Sequence, residues 1–216
     1  MQPIISIVGK SDSGKTTLLE DLIVRLKRRG YKVAIIKHAC EDFELDKVGK
    51  DSWRFSQAGS AVSAISSPHK LAIIKHLERD LNPQELSSLI WWDSDLILTE
   101  GFKQGRHPKI EVHRKEQGKE LLSPPQQLLA VVTDEPVDID VPQFSIDEGQ
   151  KIADLIERTL LTQHRKDDVD LFINDIYTPI NQPIKSLLFR ALVTIVSGLS
   201  GIKKVKSLRI SLRRKT

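Results

Sequence analysis

The residues best equipped for chemistry are Gly9-Lys10-Ser11-Asp12-Ser13-Gly14-Lys15-Thr16, a complete G-x-x-x-x-G-K-[ST] spacing. A loop of this pattern captures a phosphate chain. Gly9 and Gly14 let the backbone approach phosphate oxygens and turn successive N–H groups into an anion-binding nest. The helix expected to start here adds its partial positive charge. Lys15 can bridge β- and γ-phosphate oxygens and serve as the catalytic cation, and the Thr16 hydroxyl suits Mg²⁺, a hard ion that keeps phosphate and water ligands. Residues 9–17, Thr17 included, form the expected nucleotide-binding set. Lys10 has two readings: an ordinary exposed loop lysine, or one that reaches across a dimer interface.

A phosphate loop alone does not define a reaction. Glu100 ends the apolar run Leu96-Ile97-Leu98-Thr99 and precedes Gly101, where such folds place the acid that orients the magnesium shell. Asp46, Asp51 and His38 lie in or beside the loop after the second strand, suited to holding Mg²⁺ through water or positioning a nucleophilic water. Asp51 can equally cap, with Ser52, the helix that follows. Cys40 near His38 falls short of a metal ligand count and reads as a packed cysteine. Lys103, Arg106, His107, Lys109 and Arg114 form a basic cluster that can bind a phosphorylated group or act as an arginine finger does, or can be plain surface. Thr133-Asp134 ends another strand, and an Asp there can accept hydrogen bonds from guanine N1 and N2, although the N-K-x-D signature is absent.

The elements around these residues predict an α/β fold of the P-loop NTPase kind, with a doubly wound, mainly parallel sheet. Residues 4–8 are an apolar, β-branched strand, and residues 17–29 carry Leu18, Leu19, Leu22, Ile23 and Leu26 at helical spacing, stopped by Gly30. Strands are expected at 32–38, 95–101, 110–113 and 128–133, a hairpin at 61–65 and 71–76, and helices at 51–58, 83–92 and 150–161. The polar run 163–168 reads as a linker between a nucleotide-binding domain, 1–162, and a small α+β domain, 169–216. The latter patterns as ββαβ: strands flanking Asn174-Asp175, a helix over 183–199 and a strand over 205–212.

The 216 residues, 39% hydrophobic and 29% charged, describe an ordinary soluble chain. No apolar run approaches the roughly 20 residues needed to span a bilayer. A single cysteine excludes an internal disulfide, and without a secretory pattern the expected compartment is the cytoplasm. The formal charge of +4 is local: residues 203–216 hold seven Lys or Arg and no acid, which leaves the rest at −3. That tail is either a docking element for RNA, an acidic partner or a phosphorylated ligand, or a solvated end. It lacks interleaved aromatics, so nucleic acid is not expected as a partner, nor is a membrane.

The phosphate loop, the strand ending Lys37-His38, the segment Phe43-x-x-Asp46-x-x-Gly49-Lys50-Asp51-Ser52-Trp53-Arg54 with Ala58-Gly59, and Glu100-Gly101-Phe102-Lys103 together resemble the molybdopterin-guanine dinucleotide biosynthesis protein B (MobB) family over residues 3–160. The resemblance implies a dimeric protein that binds GTP with Mg²⁺, hydrolyses it weakly and assists attachment of GMP to molybdopterin. The implied partners are the molybdenum cofactor nucleotidyltransferase and the molybdenum-inserting enzyme. Gly14, Lys15 and Thr16 would take the phosphate and magnesium roles, Glu100 the second acidic role, and residues 46–54 the nucleotide-responsive segment. Many relatives carry a second histidine three residues after the one matched by His38; here that position is Glu41. Two other functions share the loop: a small-molecule kinase, and a binding module whose assembly nucleotide controls without turnover.

Overall fold

A computed structural model describes residues 2–39, 43, 47–90, 94–118, 120–162, 169, 171–173, 176–178 and 180–198. Along the chain run β1 (Ile4–Gly9), α1 (Lys15–Arg28), β2 (Val33–Lys37), α2 (Asp51–Gln57), β3 (Val62–Ser67), β4 (Lys70–Lys75), α3 (Pro83–Ile90) and β5 (Leu96–Glu100). They are followed by β6 (Lys109–Val112), β7 (Leu128–Val132), β8 (Gln143–Phe144), α4 (Gly149–Ile156), β9 (Leu171–Ile173), β10 (Ile176–Thr178) and α5 (Gln182–Ser197).

Six strands form one sheet in the order β2-β5-β1-β6-β7-β8, every pair parallel. All six residues of β1 are buried, as a central strand covered on both faces requires. Alternation sorts its side chains: Ile5 and Ile7 join Leu96, Leu98, Ile110, Val112, Ala130 and Val132 beneath α1 and α4. Ile4 joins Ile36 and Ile97 on the opposite face, where Leu86 and Ile90 of α3 pack. From α1, Leu18, Leu19, Leu22 and Leu26 enter the first core, each contributing about 1.5–3 kcal/mol of burial. Helices on both faces make the sheet doubly wound, as the sequence pattern anticipates.

The chain leaves β1 towards β2 and later crosses β1 to reach β6, so the strand order reverses at β1. Open α/β sheets bind ligands at such a switch point, outside the carboxyl ends of the strands. The loop after β1 lies there. Glu100 has the parity of Leu96 and Leu98, on the face covered by α1.

Some elements differ from the sequence expectation. The last helix of the sheet domain is α-helical only to Ile156; from Glu157–Leu161 it widens to π-type bonding, with Thr162 N donating to Glu157 O at 3.1 Å. Strand β8 has only two residues, too few for a periodicity. Asp51 is the first helical residue of α2 rather than its cap: Lys50 holds the cap position, with no side-chain cap bond. In the carboxyl-terminal part, β9 and β10 pair antiparallel and α5 is capped by Asn181, whose Oδ1 accepts Ile184 N at 3.0 Å. The linker 163–168 and the strand expected over 205–212 lie outside the described residues.

Candidate functional site

The loop between β1 and α1 is shaped by backbone geometry that the sequence demands. Gly9 and Gly14 have φ of 152° and 98°, and Asp12, between them, takes the left-handed conformation at φ 58°. A Cβ on Gly9 would sit 2.5 Å from the Val112 carbonyl oxygen. Gly14 begins α1 without a side-chain cap, and the first turn of the helix carries no acid. Its unpaired N–H groups are therefore free to meet an anion.

Three contacts hold the loop's carbonyls. Lys15 Nζ donates to Lys10 O at 2.6 Å, Gln117 Nε2 to Ser11 O at 2.6 Å and Arg114 Nε to Ser13 O at 2.9 Å. Lys10 Nζ donates in turn to Gln117 O. Because a trans peptide points its C=O and the next N–H in opposite directions, occupied carbonyls at 10, 11 and 13 turn the N–H groups of Ser11, Asp12 and Gly14 the other way. Ser13 Oγ is buried with no hydrogen-bond partner among the described residues, an orphan that a phosphate oxygen would satisfy. Thr16 and Thr17 are exposed at the helix start.

Across the strand end, β5 places Glu100 beside Ile7 of β1 and Lys37 of β2. Its carboxylate is 17% exposed and lies 3.9 Å from Lys37 Nζ. Gly101, at φ 101°, approaches His38: a Cβ there would be 3.3 Å from His38 Cβ. The His38 ring stacks against Phe102, with centroids 4.5 Å apart, and its Nε2 meets Asp80 Oδ2 at 2.8 Å. Thr16 and Glu100 offer the hard oxygens that Mg²⁺ takes, with phosphate and water to complete the shell, so the residues present fit that ion. Asp46, the third expected metal residue, and Cys40 lie outside the described residues.

Asp51 is strongly exposed, 3.9 Å from Arg54 Nη1, and lines a cavity of about 740 Å³ between α2 and β3 whose wall includes none of the loop residues 9–17. At the other end of the site, Thr133, Asp134, Glu135, Pro136, Gln143 and Phe144 surround a shallow cavity of about 380 Å³. The Thr133 hydroxyl is engaged locally, donating to Glu135 O at 2.8 Å. Asp134 Oδ1 accepts Lys115 N at 2.9 Å, and its Oδ2 lies 3.7 Å from Arg114 Nη1. The Lys115 N–H, assisted by the charges of Arg114 and His113, holds the Asp134 carboxyl below its ordinary value.

The basic cluster anticipated between Lys103 and Arg114 is divided. Lys109 is buried, donating to Gly105 O at 2.6 Å and to Gln127 Oε1, and His107 is buried with its Nε2 2.7 Å from Gln84 Oε1. Both are tied into the fold, Lys109 by Gly105 and Gln127 and His107 by Gln84 of α3. Lys103 and Arg106 stay exposed, and Arg114 alone reaches the phosphate loop. Gln117 carries no chemical signature in the sequence, and only the fold brings it to Ser11.

The reversed parallel sheet, the glycine loop opening onto an uncapped helix and the strand-end acid define an α/β protein of the P-loop NTPase-like class. Residues 4–134 match the family model of molybdopterin guanine dinucleotide synthesis protein B, MobB. The chain is 41% identical over 162 residues to the molybdopterin-guanine dinucleotide biosynthesis adapter protein of Haemophilus influenzae, covering 73% of this chain and 89% of that one. It is 34% identical over 169 residues to the Escherichia coli protein of the same name, covering 76% and 97%. Among solved structures, a molybdopterin-guanine biosynthesis protein B aligns with TM-score 0.55 and 36% identity over 72% of this chain and 97% of that one. Bacillus subtilis MobB aligns with TM-score 0.60 and 26% identity over 73% and 98%. The chain belongs to the MobB family.

Proposed function

We propose that this chain is an adapter of molybdopterin guanine dinucleotide biosynthesis that binds GTP with Mg²⁺ and hydrolyses it slowly. The observation that carries the reading is the uncapped start of α1, framed by a loop whose carbonyls are held outward by Lys15, Gln117 and Arg114. The N–H groups of residues 9–17 and Lys15 bind the phosphate chain, while Thr133 and Asp134 read the base at the end of β7. Thr16, Glu100 and Asp46 would hold Mg²⁺, which when bound would supply positive charge against the charge that develops on the phosphates. Asp51 positions water once the 46–54 segment responds to nucleotide. Turnover is slow because a partner must add charge stabilisation, which in nucleotide switches changes rates by roughly 10³–10⁵.

The partners are the molybdenum cofactor nucleotidyltransferase and the molybdenum-inserting enzyme, met in the cytoplasm by a homodimer. The β3–β4 hairpin supports a second copy, since it exposes Val62, Ile65, Leu71 and Ile73 at 47–58%. No helix among the described residues is long and apolar enough to cross a membrane. Residues 1–162 form the nucleotide-binding domain, and residues 169–216, past the 163–168 linker, a docking addition with a basic end. Titration with fluorescent GTP and ATP in Mg²⁺, followed by phosphate release with and without the two enzymes, tests this reading. Preference for GTP and release accelerated by a partner are expected; preference for ATP with transfer to a small acceptor would overturn it.

A further inference from the structure

The turn after β6 touches both ends of the site. Towards the phosphate loop, Arg114 Nε and Gln117 Nε2 hold the Ser13 and Ser11 carbonyls, and Gln117 O accepts Lys10 Nζ. Towards β7, Lys115 N donates to Asp134 Oδ1, Arg114 Nη1 faces Asp134 Oδ2 at 3.7 Å, and Lys115 Nζ lies 3.8 Å from Glu135 Oε2. The turn closes on itself through Gln117 N to Arg114 O at 2.9 Å and Gly118 N to Lys115 O at 3.2 Å.

We propose that Arg114 and Gln117 are positioning residues that couple the Asp134 pocket to the phosphate loop, so that the state of Asp134 sets the loop's affinity for a phosphate chain. The coupling rests on the nucleotide reading above. Its route is one guanidinium. Arg114 presents five N–H donors in a rigid plane, with Nε committed to Ser13 O and Nη1 turned to Asp134. A change in the charge or position of Asp134 therefore tilts the plane that fixes the Ser13–Gly14 peptide. That peptide aims the Gly14 N–H into the nest. Base donors that engage Asp134 compete with Lys115 N and Arg114 for its oxygens, which makes the turn responsive to what fills the pocket.

A ligand without a base isolates this effect. Inorganic tripolyphosphate with Mg²⁺, measured by calorimetry and by displacement of fluorescent GTP, has no group that Asp134 can read. Asp134→Ala and Arg114→Ala are each expected to weaken tripolyphosphate roughly tenfold, the scale of one charge-assisted hydrogen bond. The double variant should lose no more than either single, because both cut one path. Asp134→Asn, which keeps an acceptor for Lys115 N, should recover part of the loss, and melting of each variant without ligand separates a folding defect from lost coupling. Unchanged tripolyphosphate affinity in Asp134→Ala, additive losses in the double variant, or wild-type binding of GTP without tripolyphosphate would overturn the coupling alone. Failure of the wild type to bind either ligand would overturn the nucleotide reading and the coupling with it.

Discussion

Arg29 at the end of α1 clamps Glu157 at the end of α4: its Nη1 donates to Glu157 Oε2 at 2.6 Å, while Nη2 meets Asp154 Oδ1 at 2.6 Å. Tyr31 Oη donates to the other Glu157 oxygen at 2.7 Å. The helix that begins at the phosphate loop is thus fixed at the end opposite that loop.

Replacing Arg29 by Ala should cost about 1–2 kcal/mol, carried by the part-buried bond to Glu157, since Asp154 is 57% exposed and its pair adds little. For a chain of this size that lowers Tm by roughly 2–4 °C per kcal/mol. Nucleotide affinity should not change. Thermal melting beside a GTP titration checks both; a fall in affinity as large as that for loop variants would show that the clamp shapes the site.

Gly9→Ala tests the loop's backbone. Its Cβ would lie 2.5 Å from Val112 O and 2.7 Å from Ser13 Oγ, and Val112 O is strand backbone that cannot swing aside. Relief requires β1 and β6 to separate or the loop to rebuild, at a cost of about 1–3 kcal/mol. The expected result is a lower Tm with GTP binding lost. A variant that melts and binds as the wild type does would refute this geometry.

Burial, with a smaller contribution from Lys109, holds the His107 pKa below its ordinary 6.5. Below about that pH the unfolded chain takes up a proton that the folded chain resists, so stability falls as pH drops and levels off once folded His107 protonates. Melting curves from pH 8 to 5 should show this decline, and His107→Gln should flatten it. An unchanged slope in the variant would assign the decline to other groups.

How much of this was legible in the residues follows from how local each signal is. The phosphate loop and Glu100 were readable because each sits at a strand end within one short run, where glycines and an acid have few other uses. The Arg114–Gln117 turn was not, because its bonds join positions 101 and 106 residues apart. Lys109 and His107 read as members of an accessible basic cluster, for a phosphorylated group or as plain surface, because buried lysines are rare and their partners Gln127, Gly105 and Gln84 leave no pattern. Strand β8 was hidden by its brevity, and the π-type end of α4 by a sequence that stays amphipathic through it.

The central claim is that Lys15 and the loop around it bind a guanine triphosphate. Calorimetric titration of wild type and Lys15→Ala with Mg²⁺–GTP and Mg²⁺–ATP tests it most directly. The account predicts tighter binding of GTP than ATP by the wild type and a loss of roughly ten- to a hundredfold in the variant, as removing a charged phosphate contact implies. Equal affinity of wild type and Lys15→Ala for GTP would contradict it.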